Sequence, residues 1–237
     1  MSSTDSPTAE IARRWQALTE RVASAADAAG RSPDDVAVLL ASKTTPVPVV
    51  RAAVEAGATL LGENRVQELV AKAPELADLD PTWHVIGHLQ SNKVNAALRW
   101  ARCVQSVDDL DLARRLSRRC EVTDRDLEVM VQVNVSGEET KSGVSPEAAL
   151  DLAASVAALP GLRLTGLMTI GAHSPDTGLV RAGYARLREL RDALVGQAAT
   201  AGATVLSMGM SGDLELAVAE GATLVRVGTA VFGPRQV

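Results

Sequence analysis

Short apolar runs alternate with amphipathic segments eight times along this chain, and that alternation constrains the fold more than any other feature. The runs are Val36–Ser42, the pair Leu60 and Leu61, Trp83–Gly87, Cys103–Gln105, Leu127–Val135, Leu162–Thr169, Val205–Met208 and Leu224–Val227. Each is short, rich in aliphatic residues and bounded by turn formers, so each reads as a strand. The segments between them space their apolar residues as helices do, and Gly57 and the pair Pro160 and Gly161 stop two of them. Strands joined by helical crossovers pair in parallel. Eight such units, preceded by one more helix from Thr8 to about Gly30, fit a single (β/α)8 TIM barrel with an extra N-terminal helix. An open doubly wound sheet is the competing arrangement, but no G-x-G-x-x-G follows the first strand. Residues 8–237 are therefore expected to form one domain, with 1–7 as a short, polar, disordered tail.

Composition agrees. Apolar residues make up 46% of the chain and aromatics only 2%, so the core must be built from Leu, Val, Ile and Ala. The net charge of −5, with no basic run longer than two residues, argues against nucleic acid as a partner. Cys103 and Cys120 stand in no CxxC or metal-ligand spacing, so neither a disulfide framework nor a metal site is expected. The N-terminus has no apolar core of a secretory signal, and no apolar run approaches the ~18 residues of a spanning helix. The expected location is cytoplasmic, away from the membrane. No long apolar stripe asks for a second subunit, so a monomer is expected.

Strand parity separates the two faces. In the fifth strand the odd positions Leu127, Val129, Val131, Val133 and Val135 are all apolar, and should face the helices. Glu128, Met130, Gln132 and Asn134 should face the barrel interior. In the first strand the inward set is Ala37, Leu39, Ala41 and then Lys43. Lys43 thus ends a strand at the rim where such barrels place their chemistry. Partial desolvation there would free its amine to attack an aldehyde. The plainer reading is a solvated or ion-paired lysine. Against it stands the rarity of lysine: four (Lys43, Lys72, Lys93, Lys141) beside twenty arginines. A guanidinium cannot replace an amine that must form an imine. Lys72, mid-helix, reads as ordinary.

Two segments near the C-terminus suit a phosphate. SMGMSGD (Ser207–Asp213) and RVGTAVFG (Arg226–Gly233) follow or contain the last two strands, where barrels of this class commonly bind phosphate. Gly209, Gly212 and Gly228 allow close approach of backbone N–H groups, and a helix starting near Ser211 would point its free N–H groups at the same place. Ser211 is either a helix N-cap or a phosphate ligand. Arg226, flanked by Val225 and Val227, is either half of a buried ion pair or a guanidinium facing a ligand.

These features fall into an ordered set: Lys43 in ASKT, GENRVQE (Gly62–Glu68), WHVIGHLQSNK (Trp83–Lys93), KSG (Lys141–Gly143), GLMTI (Gly166–Ile170), SMGMSGDLE (Ser207–Glu215) and VRVGTAVFG (Val225–Gly233). Seven motifs in this order closely resemble the YggS/PROSC family of pyridoxal phosphate homeostasis proteins. The resemblance implies a barrel like the N-terminal domain of alanine racemase, with pyridoxal 5′-phosphate bound covalently as a Schiff base on Lys43. Ser211, Gly228 and Thr229 would hold the phosphate, Arg226 would face the pyridine nitrogen, and Asn64, His84 and Met210 would line the ring. His84 has the alternative of a hydrogen-bonded core histidine. Gly212 stands where many members carry another residue.

The resemblance also implies a protein that buffers the cofactor and delivers it to PLP-dependent apo-enzymes, with no catalytic residues. The alternative is an amino-acid racemase-like enzyme. A racemase of this fold needs a second base, a tyrosine from an added domain. The only tyrosine here, Tyr184, is expected in the long helix after the sixth strand, outside the barrel. An arginine opposite the pyridine nitrogen also disfavours the protonated ring that makes an electron sink. Lys141 lies in the loop after the fifth strand, where its amine either receives the aldehyde during release or pairs with Glu138 or Glu139.

Overall fold

The computed structural model describes residues 7–138 and 141–234. Eight parallel strands close in sequence order: β1 Ala37–Ala41, β2 Leu60–Glu63, β3 Thr82–Val85, β4 Ala101–Val107, β5 Leu127–Gln132, β6 Leu162–Met168, β7 Val205–Ser207 and β8 Leu224–Val227, which pairs back onto β1. Around them run α1 Pro7–Ala28, α2 Val47–Glu55, α3 Val66–Lys72, α4 Val94–Ala97, α5 Leu110–Thr123, α6 Ala149–Ala157, α7 Thr177–Val195, α8 Leu214–Ala219 and α9 Thr229–Phe232. This is the (β/α)8 barrel with an extra N-terminal helix. That helix, α1, packs on α2, α8 and α9. Of the tail expected at 1–7, all but Pro7 lies outside the described residues, and Pro7 is the first residue of α1.

The strand faces divide as parity requires. Leu127, Val129 and Val131 join the large core between sheet and helices, while Met130 packs inside the barrel with Cys103 and Met168. Likewise Val36 and Leu40 face the helices, and Leu39 meets Ile86 and Leu224 in the interior. At about 25 cal/mol per Å2, this aliphatic belt is the main favourable term for the fold.

Some boundaries differ from the sequence reading. Strand β4 runs seven residues, longer than the three read from Cys103–Gln105, because polar Arg102 and Ser106 flank that short run and hide its extension to Ala101 and Val107. The helix expected from Asn92 is a short 3-10 turn followed by the four-residue α4. Helix α8 starts at Leu214 with Asp213 as its N-cap, so Ser211 is not the cap. Both cysteines are buried and free. None of the described helices is long and apolar enough to cross a membrane.

Candidate functional site

The site assembles on the C-terminal rim of β1, β2, β7 and β8. Register places Leu39 beside Arg226 and Leu40 beside Val227, so Ala41 adjoins Gly228. The approach is tight: a Cβ on Gly228 would lie 2.9 Å from the Ala41 carbonyl oxygen. Half-buried Lys43 follows two residues beyond Ala41 on the same rim.

The two glycine-rich loops meet there. Thr229 Oγ1 donates to Ser211 Oγ at 3.0 Å. The N–H groups of Ser211, Gly212, Thr229 and Ala230 have no acceptor among the described residues. Two hydroxyls and four unspent N–H donors on adjacent loops form a cradle suited to a phosphate. With α8 only six residues long and α9 four, the donors rather than the helix dipoles carry this argument. The loop before α8 is held from behind. Gly209 turns it at φ 90°, and Asp213 Oδ1 accepts from Met210 N–H at 2.6 Å. Asp213 Oδ2 accepts from the Tyr184 hydroxyl at 2.7 Å. Arg21 donates to the Ser211 carbonyl at 2.9 Å from α1.

Tyr184 does lie in the helix after the sixth strand, and it is fully buried in the helix-facing core. Burial and the neighbouring Asp213 push its hydroxyl far above the usual tyrosine range, so it is a fixed donor.

Arg226 is buried and makes no ion pair among the described residues. Its Nη1 donates to Ser207 Oγ at 2.7 Å and its Nη2 to the Thr169 carbonyl at 2.6 Å. Desolvation lowers its pKa to about 10, which still leaves a cation at neutral pH. From Ser207 the hydrogen bonds continue inside the barrel. Ser207 Oγ donates to Gln105 Oε1 at 2.6 Å, and Gln105 Nε2 lies 2.7 Å from His84 Nδ1. A guanidinium only donates, so Ser207 must pass its own proton to Gln105, and Gln105 must then present its NH2 to His84. The His84 tautomer follows: Nδ1 accepts and Nε2 carries the proton. Burial lowers the His84 pKa to about 4. His84 is thus a hydrogen-bonded interior histidine tied to Arg226 through two residues that strand spacing did not single out, Gln105 and Ser207.

His84, Cys103 and Glu128 face one another in register across β3, β4 and β5, with ligand-type atoms within 4.8 Å. The Nε2 proton makes His84 a donor there rather than a metal ligand, and Glu128 pairs with Arg163 and, at 3.6 Å, with Arg102.

Asn64 is half-buried and lines a cleft of about 500 Å3 with Arg65, His88, Gln90 and Lys93. Met210 is exposed at the loop, its N–H held by Asp213. Lys141 pairs with Glu138 at 2.6 Å and donates to the Gly171 carbonyl at 2.9 Å; Glu139 lies outside the described residues. Lys72, read as ordinary, is buried and bonded to Ser42, Glu63 and Glu68. The scarcity of lysine that singled out Lys43 was equally a signal for Lys72.

A closed parallel barrel with a rim lysine after β1 and a candidate anion cradle after β7 and β8 defines a class, the (β/α)8 barrels that carry their site on the C-terminal rim. Within it, the chain belongs to the family described as alanine racemase, N-terminal domain, whose profile matches residues 14–236. It is 47% identical over 225 residues to the pyridoxal phosphate homeostasis protein of Pseudomonas aeruginosa, covering 95% of this chain and 96% of that protein. It also resembles the structure of PipY from Synechococcus elongatus with PLP bound, at 37% identity and TM-score 0.83, covering 94% of this chain and all of that one. A protein of unknown function from Bifidobacterium adolescentis matches at 41% identity and TM-score 0.93, over 98% of both chains.

Proposed function

We propose that this protein binds pyridoxal 5′-phosphate as a Schiff base on Lys43 and serves cofactor homeostasis by holding and releasing it, with little or no turnover. The observation that carries the reading is the contact between Gly228 and Ala41. It sets the Ser211–Thr229 cradle beside the strand that leads to Lys43. The bound group supplies an aldehyde for the amine and a phosphate for the cradle. Ser211, Gly228 and Thr229 fit the phosphate, and Arg226 offers the pyridine nitrogen a cation. Asn64, His84 and Met210 stand around the ring. The PLP-bound PipY structure and the names of the relatives support the same cofactor.

Absence of turnover is supported by Tyr184, which is committed to Asp213 and buried. It cannot act as the second base that racemisation needs. Acting as a cytoplasmic monomer that hands the cofactor to PLP-dependent apo-enzymes completes the reading.

Intact mass after borohydride reduction tests it. A reduced pyridoxyl phosphate adduct should map to Lys43 and vanish in Lys43→Ala. No adduct with excess cofactor would overturn the cofactor assignment. Racemisation of alanine at rates of ordinary enzymes, ~1–10³ per second, would overturn the carrier reading.

A further inference from the structure

Every residue flanking Lys43 is held by groups that sit behind the rim, in the layer between the sheet and α3. Ser42 N–H donates to the Gly62 carbonyl at 3.0 Å, and Ser42 Oγ donates to Glu63 Oε1 at 2.7 Å. The Ser42 carbonyl accepts from Lys72 Nζ at 2.6 Å and from Thr45 N–H at 3.0 Å. Thr44 N–H donates to Glu68 Oε2 at 2.7 Å. Thr44 has φ 60°, a left-handed conformation that a β-branched residue adopts only when its surroundings impose it.

Lys72 organises the cluster. An ammonium has three protons, and Nζ meets three acceptors: the Ser42 carbonyl, Glu63 Oε1 at 2.7 Å and Glu68 Oε2 at 3.0 Å. Burial raises the Glu63 carboxyl, against the opposing pull of Lys72 and Ser42. Glu63 Oε2 is buried with no hydrogen-bond partner among the described residues. Well-packed apolar residues would serve stability as well as such a cluster, and would leave no orphan oxygen. Its expense is understandable where it holds a strained functional turn.

We infer that Glu63, Glu68 and Lys72 are positioning residues for Lys43. They hold the turn from Ser42 to Thr45 so that the Lys43 amine is directed over the barrel mouth, and they touch no ligand themselves. This rests on the proposed function only for the identity of the reactive amine.

Glu68 is the safest residue to change, being partly exposed. In Glu68→Ala, the Thr44 amide should exchange its hydrogen about tenfold faster, the scale of one lost charged hydrogen bond. Borohydride trapping of pyridoxal phosphate at Lys43 should slow by about the same factor, with a shifted pH profile. Glu68→Gln keeps an acceptor oxygen and should restore both. Adding Thr44→Gly to Glu68→Ala removes the strain and should recover part of the trapping rate. Lys72→Met should reproduce the defect; if it unfolds, the Glu68 set decides alone. Wild-type exchange, trapping rate and pH profile in Glu68→Ala would overturn the inference. Should wild type itself form no adduct, the cofactor reading falls, and Thr44 exchange alone still decides whether the cluster holds the turn.

Discussion

His84 gives the fold a specific sensitivity to acid. In the folded protein its pKa falls to about 4, from 6.5 in an open chain, because burial penalises the imidazolium. The unfolded chain therefore binds a proton that the folded one refuses between these values. Stability contributed by neutral His84 is complete above pH 6.5 and lost progressively as pH falls towards 4. At 1.36 kcal/mol for each tenfold change, the loss comes to about 2 kcal/mol by pH 5 and about 3 kcal/mol by pH 4. Carboxylates also titrate in this range, so the variant His84→Gln provides the comparison. Its amide oxygen can accept from Gln105 as Nδ1 does, and it has no proton to gain. Urea denaturation of both proteins at pH 7, 6 and 5 should give stability curves that diverge, wild type losing about 2 kcal/mol more. Parallel curves, or a His84 ring proton titrating near 6.5 by NMR, would refute the assignment of Nδ1 as a buried acceptor.

Other substitutions report on neighbouring parts. Tyr184→Phe removes the hydrogen bond to Asp213 and should cost about 2 kcal/mol in denaturant melts; an unchanged midpoint would detach Tyr184 from the phosphate loop. Ser207→Ala leaves one donor of Arg226 and Gln105 Oε1 unpartnered in the interior, so its loss should reach about 2–4 kcal/mol, well beyond that of an ordinary Ser→Ala change. Gly228→Ala forces a Cβ to 2.9 Å from the Ala41 carbonyl, which must part β8 from β1; pyridoxal phosphate should bind at least about tenfold more weakly by absorbance titration, and equal affinity would clear that contact of a role.

The barrel was legible because its signal is repeated: eight apolar runs, with one parity in β5 that told inside from outside. Positions set by local chemistry were legible too. Lys43 follows an inward-facing set of small residues, and the glycines near Ser211 and Gly228 mark where backbone approaches closely. What the chain does not display is pairing across the barrel. Gln105 and Ser207 are 102 residues apart and look like isolated polar residues until the sheet closes. Lys72 resembles any helical lysine until α3 folds over Ser42 and Glu63. Ser211 fell between two roles because the N-cap of α8 falls two residues later than the sequence suggests, at Asp213.

Those cross-barrel pairings also bear on what the protein does with a bound cofactor. General acids and bases work best with a pKa near the operating pH. Here His84 and Tyr184 are moved away from it, and Arg226, though lowered by burial, still lies well above it. Burial leaves His84 neutral, with a pKa near 4, and the one-way run of donors from Arg226 fixes its tautomer. Arg226 stays charged with a pKa near 10. Tyr184 is driven higher still and spent on Asp213. With His84, Arg226 and Tyr184 each locked in one state, these three groups offer little with which to move a proton on and off a substrate carbon, which supports the proposed carrier role. The same hydrogen bonds that fix the His84 tautomer thus support the proposed custody of the cofactor over its chemistry.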